Sequence, residues 1–237
     1  MREVWQELQQ ELGGLLLPSD CAGCGLPRVR SSLCGECGSA LTGVAPRRVW
    51  PSPVPSGLPA VYGALPYADE VRAVLLAHKE RGALRLASPL GSVLAAAVRA
   101  AAAHPGRGPV TGPLTLVPVP SARRVVAGRG HDPVRRVALA AARELRRAGL
   151  PARVLAVLRQ RRAVADQAGL TAEQRLANLS GALQTVSGGG RLLAEGETVL
   201  VDDLMTTGAS LVEAARAVSE QVRNVTLAAV VAVRYRR

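Results

Sequence analysis

Residues 199–210, with the sequence VLVDDLMTTGAS, constrain the fold more than any other stretch of this 237-residue chain. Residues 198–201 are apolar or β-branched, which predicts a buried strand of a parallel sheet. Residues 211–220 have apolar side chains at helical spacing, so a helix follows the strand. The acidic pair and the Thr-Thr-Gly turn therefore lie at the carboxyl end of a strand, where ligands of open α/β sheets bind.

This turn carries groups that suit a ribose phosphate. Backbone N–H groups and the dipole at the start of a helix favour an anion, and Gly208 lets the backbone approach it closely. Hydroxyl donors come from Thr206, Thr207 and Ser210. Asp202 and Asp203 can accept hydrogen bonds from sugar hydroxyls or from water on Mg²⁺, although consecutive strand side chains point to opposite faces. The alternative is an ordinary helix start beside a solvated strand end.

A nucleotide-driven motor also has an apolar strand that ends in Asp, the Walker B strand. Such a motor needs a G-x-x-x-x-G-K-[S/T] loop to hold the phosphates of its nucleotide. The chain has a single lysine, Lys79, and it lies in the sequence HKERG. The missing loop disfavours the motor class.

All four cysteines lie between positions 21 and 37, in two C-x-x-C pairs. Two such pairs can place four thiolates around one Zn²⁺ and leave no open position for a substrate. A structural zinc site is therefore predicted at Cys21, Cys24, Cys34 and Cys37. The nine residues between the pairs are fewer than in most zinc ribbons, so an iron–sulfur centre and disulfides remain as alternatives. A reducing cytoplasm disfavours the disulfides.

The sequence divides the chain into three parts. Residues 1–45 hold the cysteines and, before them, apolar residues at helical spacing that predict a short amphipathic helix. Residues 46–59 contain five prolines and predict an extended linker. Residues 60–237 alternate strand and helix patterns, which predicts a doubly wound parallel α/β sheet with a helical hood.

The elements of this α/β domain follow from periodicity and caps. Helices are predicted at 69–81, 88–103, 132–148, 171–178 and 210–221, and strands at 115–119, 153–158, 198–202 and 225–233. The first two helices form the hood or flank the sheet. Because parallel strands end at one edge of a sheet, the strand ends near 120, 158 and 203 are expected to converge.

The order of these motifs resembles the ComF-type late-competence family. Its members join a zinc-binding start to a domain of the type I phosphoribosyltransferase kind and are linked to uptake of transforming DNA. Residues 199–210 are similar to the loop that binds 5-phosphoribosyl-1-pyrophosphate (PRPP). Residues 116–121, LVPVPS, and the arginines after them are similar to the first core strand and the pyrophosphate loop. Residues 167–183 are similar to the flexible-loop region.

The resemblance implies an enzyme that binds Mg²⁺-PRPP and transfers its phosphoribosyl group. It places the 5′-phosphate of PRPP on Thr206, Thr207, Gly208, Ala209 and Ser210. It places the pyrophosphate group beside Ser121, Arg123 and Arg124. Lys79, as the only lysine, is a further candidate for a phosphate contact.

The catalytic residues implied are Asp202 and Asp203, which face the ribose hydroxyls or metal-bound water, together with Arg162. Arg162 lies in a basic stretch, residues 159–175, that is either a lid over the diphosphate or a solvated loop. One segment departs from the family pattern: residues 129–133 read RGHDP where members commonly have R-G-F-N-Q. The aromatic ring and both amides are missing, so the residues indicate no acceptor and do not decide whether catalysis occurs.

A second hypothesis from another class is a non-catalytic adaptor for DNA uptake that binds a helicase partner or single-stranded DNA. The net charge of +12 suits an anionic partner. Only 2% of residues are aromatic, which leaves few platforms for stacked bases and weakens the case for direct strand binding. The chain shows no signal peptide and no apolar run of membrane-spanning length, which predicts a cytoplasmic protein.

Overall fold

The computed structural model describes residues 20–105, 112–121, 130–165, 169–222, 225 and 227–235. Its main feature in this part of the chain is a six-stranded sheet in the order β1-β2-β8-β7-β3-β4. A separate two-stranded sheet contains β5 and β6. The strands are β1 Arg47–Val49, β2 Ala60–Pro66, β3 Leu114–Pro118, β4 Ala152–Val154, β5 Leu158–Gln160, β6 Leu183–Thr185, β7 Glu197–Met205 and β8 Leu227–Val233.

The six-stranded sheet is mostly parallel. β1 pairs antiparallel with β2, whereas the other neighbours in the sheet pair in parallel. β7 is central: Leu200 faces Ala228 of β8 in one ladder and Val117 of β3 in the other. The carboxyl ends of β2, β8, β7 and β3 therefore meet at one edge of the sheet.

Helices cover both faces of the sheet. They are α1 Gly35–Thr42, α2 Asp69–Glu80, α3 Ala87–Ala102, α4 Pro133–Arg147, α5 Ala172–Leu179, α6 Gly189–Leu193 and α7 Ala209–Ser219. One apolar core joins α2, α3 and α4 to alternate strand residues such as Leu116 and Val199. The other joins α6 and α7 to the intervening residues, such as Val117 and Leu200. All seven residues of β8 are buried, as expected for a parallel strand covered on both faces.

The predicted α/β architecture with a mostly parallel sheet is confirmed. The helices predicted at 69–81, 88–103, 132–148, 171–178 and 210–221 correspond to α2, α3, α4, α5 and α7 within a few residues. Two of the helices have the caps that the sequence indicates, since Asp132 accepts a hydrogen bond from the Arg135 N–H and Thr171 forms a capping box with Gln174. The amphipathic helix predicted before the cysteines lies outside the described residues.

The structure differs from prediction at residues 153–158, which were expected to form one strand. The main-sheet strand β4 ends at Val154, and β5 pairs antiparallel with β6 instead. Glu213 of α7 holds β6 in place because its carboxylate accepts hydrogen bonds from the N–H groups of Gly181 and Leu183. After Val154 the chain leaves the main sheet and continues to β5, which pairs with β6. Residue 158 is therefore not one of the converging strand ends.

The structure also shows three strands that the sequence analysis missed, β1, β2 and β6. β1 lies inside residues 46–59, the predicted linker, and Arg48 pairs with Tyr62 of β2. The prolines concealed this strand because they cannot donate to a ladder and are typical of loops. The proposed division of the chain into parts stays a prediction.

Within the described residues, one helical stretch, Leu84–Ala102, is long and apolar enough by length and composition to cross a membrane. Leu90, Leu94 and Val98 in this stretch are fully buried in the core between the sheet and α4. That is how a core helix of a globular α/β domain packs. The structure is compatible with the predicted cytoplasmic location.

The contact between α3 and α4 depends on Gly91. A Cβ atom on Gly91 would lie 2.5 Å from the Ala140 Cβ and 2.9 Å from the Ala141 backbone nitrogen. Gly91→Ala is therefore expected to lower the free energy of unfolding by about 1–3 kcal/mol, because the helices must separate to admit the methyl group. Urea unfolding followed by circular dichroism measures this loss.

The matched control is Ser92→Ala, which places the same side chain at the next, half-buried position of α3. We expect this variant to unfold within about 0.5 kcal/mol of the parent. Equal stability of both variants and the parent would contradict the close packing at Gly91.

Candidate functional site

The acidic pair lies inside β7 rather than after it. The ladder with β8 continues through Asp202, which faces Val230, to Met205, which faces Val233. The strand therefore ends three residues later than predicted, at Met205, and its two aspartates alternate between the faces of the sheet. Asp203 is buried with 6% of its surface exposed, whereas Asp202 is half-buried.

Asp203 is paired with the only lysine of the chain. Its Oδ2 lies 2.8 Å from the Nζ of Lys79 in the last turn of α2. The two residues are 124 positions apart, so the fold alone brings them together. Lys79, predicted as a phosphate contact, thus lies at the carboxyl edge of the sheet, where it contacts Asp203 of the acidic pair.

Asp202 is the member of the pair whose charged form is disfavoured by its surroundings. Removal from water and the neighbouring carboxylate of Asp203 raise its pKa well above the usual value, and the charge of Lys79 only partly opposes them. The backbone N–H of Asp203 donates to the Asp202 Oδ1 at 2.8 Å. A cation placed at this edge would relieve the repulsion between the two carboxylates.

The turn after β7 requires glycine for two reasons. Gly208 has a φ of 78°, in the left-handed region that favours glycine. A Cβ atom there would also lie 2.8 Å from the Leu58 Cδ1, because residues 46–59 pack over the turn. α7 begins at Ala209, so the predicted 5′-phosphate residues Thr206, Thr207, Gly208, Ala209 and Ser210 form this turn and the start of the helix.

Arg175 of α5 joins the same turn. Its Nη1 donates to the Thr206 Oγ1 at 3.2 Å. Its Nε is buried and has no hydrogen-bond partner among the residues that the structure describes. A buried unpaired donor is costly, so this guanidinium suits an anionic ligand that supplies the missing acceptor. The sequence analysis placed Arg175 in the basic stretch but did not single it out.

The other basic candidates differ in what the structure shows. The Nη2 of Arg162 donates to the backbone carbonyls of Asn178 and Ser180, where it holds the end of α5. Ser121 is half-buried just beyond the end of β3, beside β7 in the sheet. Arg123 and Arg124 lie outside the described residues. The catalytic role of Arg162 and the pyrophosphate contacts of the other three stay predictions.

A cleft of about 390 Å³ adjoins the turn, a feature that the sequence analysis missed. One wall follows β1 and the other follows β8, and the cleft reaches the turn at Thr206 and Thr207. The lining residues are Arg47, Arg48, Trp50, Pro51, Ser52, Pro53, Ala172, Thr206, Thr207, Arg234 and Tyr235. Aromatic side chains are rare in this chain, so those next to basic residues at 47–50 and 234–235 were the available signal.

The four cysteines form a compact cluster. Their sulfur atoms all lie within 4.8 Å of one another, and the Cys24 and Cys34 sulfurs are 3.7 Å apart. Tetrahedral zinc with Zn–S bonds of about 2.3 Å sets its sulfurs about 3.8 Å apart. The Cys34 N–H donates to the Cys21 sulfur and the Cys37 N–H to the Cys34 sulfur. The cluster can bind a structural zinc ion, as predicted.

The clustered thiols have shifted pKa values. Burial raises the pKa of Cys21, but backbone hydrogen bonds, from Cys34 first, outweigh burial and lower the pKa to about 6. Burial and then the neighbouring cysteines raise the pKa of Cys37. Four thiolates at this distance repel one another unless a metal ion lies between them.

The fold and the cysteine cluster define the class of the protein: an α/β protein with a mostly parallel sheet and an amino-terminal cluster of four cysteines that can bind a metal ion. Comparison of the chain with models of protein families and with curated proteins gave no match. The function is therefore inferred from the residues of the site.

The four-cysteine cluster leads to a prediction about metal binding. Cys24 is the exposed ligand, so Cys24→Ser should remove the metal with little change in packing. We expect about one zinc per chain in the parent, a large loss of zinc in Cys24→Ser, and a lower unfolding temperature in the variant. Metal analysis and thermal unfolding measure these quantities.

Ser39→Ala, at an exposed position of α1, is the control and should keep its zinc. Parent protein that contains no zinc, or a Cys24→Ser variant that keeps a full equivalent, would rule out the four-cysteine site.

The raised pKa of Asp202 predicts a dependence of stability on pH. Because the folded state favours protonated Asp202, its contribution to stability is present at low pH and is lost as pH rises through the folded pKa. Asp202→Asn, which keeps the acceptor for the Asp203 N–H, should therefore be more stable than the parent at neutral pH. Urea unfolding from pH 5 to pH 8 should show this advantage growing with pH. An advantage that shrinks with rising pH contradicts the assignment.

Proposed function

We propose that this chain is a phosphoribosyltransferase of the type I kind that binds Mg²⁺-PRPP at the carboxyl edge of the sheet, around β7 and the start of α7. The observation that carries this proposal is the arrangement of opposite charges on one turn. Asp202 and Asp203 lie in β7 just before residues 206–208, and the guanidinium of Arg175 donates to Thr206 of the same turn. A sugar that bears hydroxyl groups and a phosphate matches this arrangement.

The phosphate group of the ligand would contact the start of α7 and Arg175. Backbone N–H groups at the start of α7 and the hydroxyls of residues 206, 207 and 210 are hydrogen-bond donors for phosphate oxygens. The buried Nε of Arg175 would gain its missing acceptor from the same phosphate. Since Arg175 already donates to Thr206, only a small movement of α5 is needed to close on the ligand.

The ribose hydroxyls and Mg²⁺ of the ligand would lie at the acidic pair. Ribose hydroxyls can donate to Asp202 and Asp203, and Mg²⁺ that arrives with the diphosphate offsets the repulsion that raises the Asp202 pKa. Lys79 holds Asp203 at 2.8 Å, so its ammonium group lies at the edge where the diphosphate would bind. The resemblance adds Ser121, Arg123 and Arg124 to the diphosphate contacts.

The reaction proposed is substitution at the anomeric carbon of the ribose. A nucleophilic atom of the acceptor forms a bond to this carbon, and the bond from the carbon to the diphosphate oxygen breaks. The diphosphate leaves with the electron pair and Mg²⁺, and the acceptor releases its proton to solvent. Negative charge grows on the leaving group, so cationic side chains lower the barrier more than a strong base does.

A second candidate is the adaptor for DNA uptake, which keeps this fold and binds a helicase partner or single-stranded DNA without catalysis. The exposed Trp50 and Tyr235 next to arginines favour it, because a stacked base and its phosphate need both kinds of side chain. Strand binding that weakens steeply with salt, without any binding of PRPP, would favour the adaptor over the enzyme.

The proposal is tested by thermal unfolding with Mg²⁺ and PRPP. A ligand that binds only the folded state at 100 times its Kd adds about 2.7 kcal/mol of stability, so the unfolding temperature should rise. The double variant Asp202→Asn, Asp203→Asn should lose most of this rise, and Arg175→Ala should lose a large part of it.

Arg147→Ala is the matched control, since this exposed arginine of α4 pairs only with Glu144 among the contacts described. It should respond to PRPP as the parent does. If saturating PRPP and ribose 5-phosphate both leave the unfolding temperature unchanged, the proposed site is wrong.

A further inference from the structure

The cleft next to the turn at residues 206–208 has walls that the proposed contacts with PRPP do not use. One wall is built from residues 47–53, and the other from Arg234 and Tyr235 after β8. The two walls meet the turn at Thr206 and Thr207. A molecule in this cleft would lie against the same turn as the proposed sugar phosphate.

Two aromatic side chains face water in this cleft. Trp50 is 59% exposed and Tyr235 is 48% exposed. They are two of the five aromatic residues in the chain, which has two tryptophans, three tyrosines and no phenylalanine. The Nη2 of Arg47 reaches to 3.5 Å from the Tyr235 hydroxyl, so the walls approach each other across the cleft. Exposed aromatic faces at a cleft suit a planar ring that stacks on them.

The charge of the cleft is positive. Arg47, Arg48 and Arg234 line it, and no carboxylate does among the residues described. In the ranges that the structure covers, none of these three arginines forms a salt bridge. Guanidinium groups bind carboxylates and phosphates through paired hydrogen bonds. An apolar ring alone would not use three cations, so the ligand carries a negative charge.

The size of the cleft favours a small molecule. About 390 Å³ is within the range of small-molecule sites and leaves room for a ring with one charged substituent. The wall of residues 47–53 is held by the antiparallel ladder of β1 with β2 and by the prolines at 51 and 53. A formed cleft of this kind needs little rearrangement to bind.

We infer that this cleft is a second ligand site, next to the proposed site for the sugar phosphate, and that its ligand is a planar aromatic ring bearing an anionic group such as a carboxylate. The inference goes beyond the proposed function and depends on the lining of the cleft alone. The arginines supply the countercharge that lets an anionic ring lie next to an anionic sugar phosphate. Trp50 and Tyr235 orient the ring, and the arginines select its charge.

The test uses Trp50 as its reporter. Trp5→Phe leaves Trp50 as the only tryptophan, so fluorescence quenching reports a ring in the cleft. The probes are two pairs that differ in charge but hardly in size, nicotinate with nicotinamide and benzoate with benzamide. We expect at least one carboxylate to quench at about tenfold lower concentration than its amide, the effect of one charge-assisted hydrogen bond.

Two substitutions identify the groups responsible. Arg48→Ala with Arg234→Ala should bring the carboxylate and amide of each pair to about the same affinity, within roughly twofold. Both arginines are exposed, so folding is expected to survive, and circular dichroism checks it. Arg147→Ala in the same background should keep the preference. A preference that survives the double variant overturns the inference, as does equal quenching by both members of each pair or quenching by none.

The outcome is separable from that of the PRPP experiment. If PRPP stabilises the protein but neither carboxylate is preferred, the transferase proposal stands and the ligand class proposed here for the cleft is wrong. If a carboxylate is preferred but PRPP has no effect, the cleft binds an anionic ring and the proposed PRPP site is wrong. Quenching by a single-stranded oligonucleotide at concentrations where all four ring compounds are inert overturns the small-molecule reading in favour of strand binding.

Discussion

The two ladders of β7 hold the candidate site together. β7 lies between β3 and β8, and its bonds to β8 continue through the acidic pair to Met205. The strand therefore carries Asp203 into a buried position, where a carboxylate needs a countercharge, and Lys79 supplies it at 2.8 Å. The same strand fixes where the turn at Gly208 and the start of α7 lie. The acidic pair and the turn at residues 206–208 are thus both placed by one central strand.

The cysteine segment is part of this arrangement. Cys21, Cys37 and Leu41 share one apolar core with residues of α2, the helix that brings Lys79 to Asp203. A Cβ atom on Gly23 would lie 2.7 Å from the Cys37 sulfur and 3.4 Å from the Glu70 Cβ, so the cluster packs closely on the start of α2. A metal ion in the cluster would therefore stabilise the packing of α2 as well as the segment itself. The position of the lysine at the far end of α2 depends on that packing.

Much of this fold could be predicted from the sequence, because the helices and the central strand have strong periodicity and clear caps. β1 was missed since its three residues lie among prolines, and β7 proved longer than its apolar run because the ladder with β8 continues past it. The contiguous turn at 206–210 was found from local sequence. Lys79 on Asp203 and Arg47 near Tyr235 join residues 124 and 188 positions apart, and only the tertiary fold brings such pairs together. Arg175 could be placed in a basic stretch, but its bond to Thr206 needed the orientation of α5.

The central claim is that the turn between β7 and α7 binds the phosphate of a phosphoribosyl group. A crystal structure of the protein with ribose 5-phosphate and Mg²⁺ tests this claim most directly. The account predicts phosphate density in contact with the backbone N–H groups of residues 207–210 and with the Arg175 guanidinium, and ribose hydroxyls on the acidic pair. Phosphate bound elsewhere, or an empty turn at saturating ligand, would contradict it.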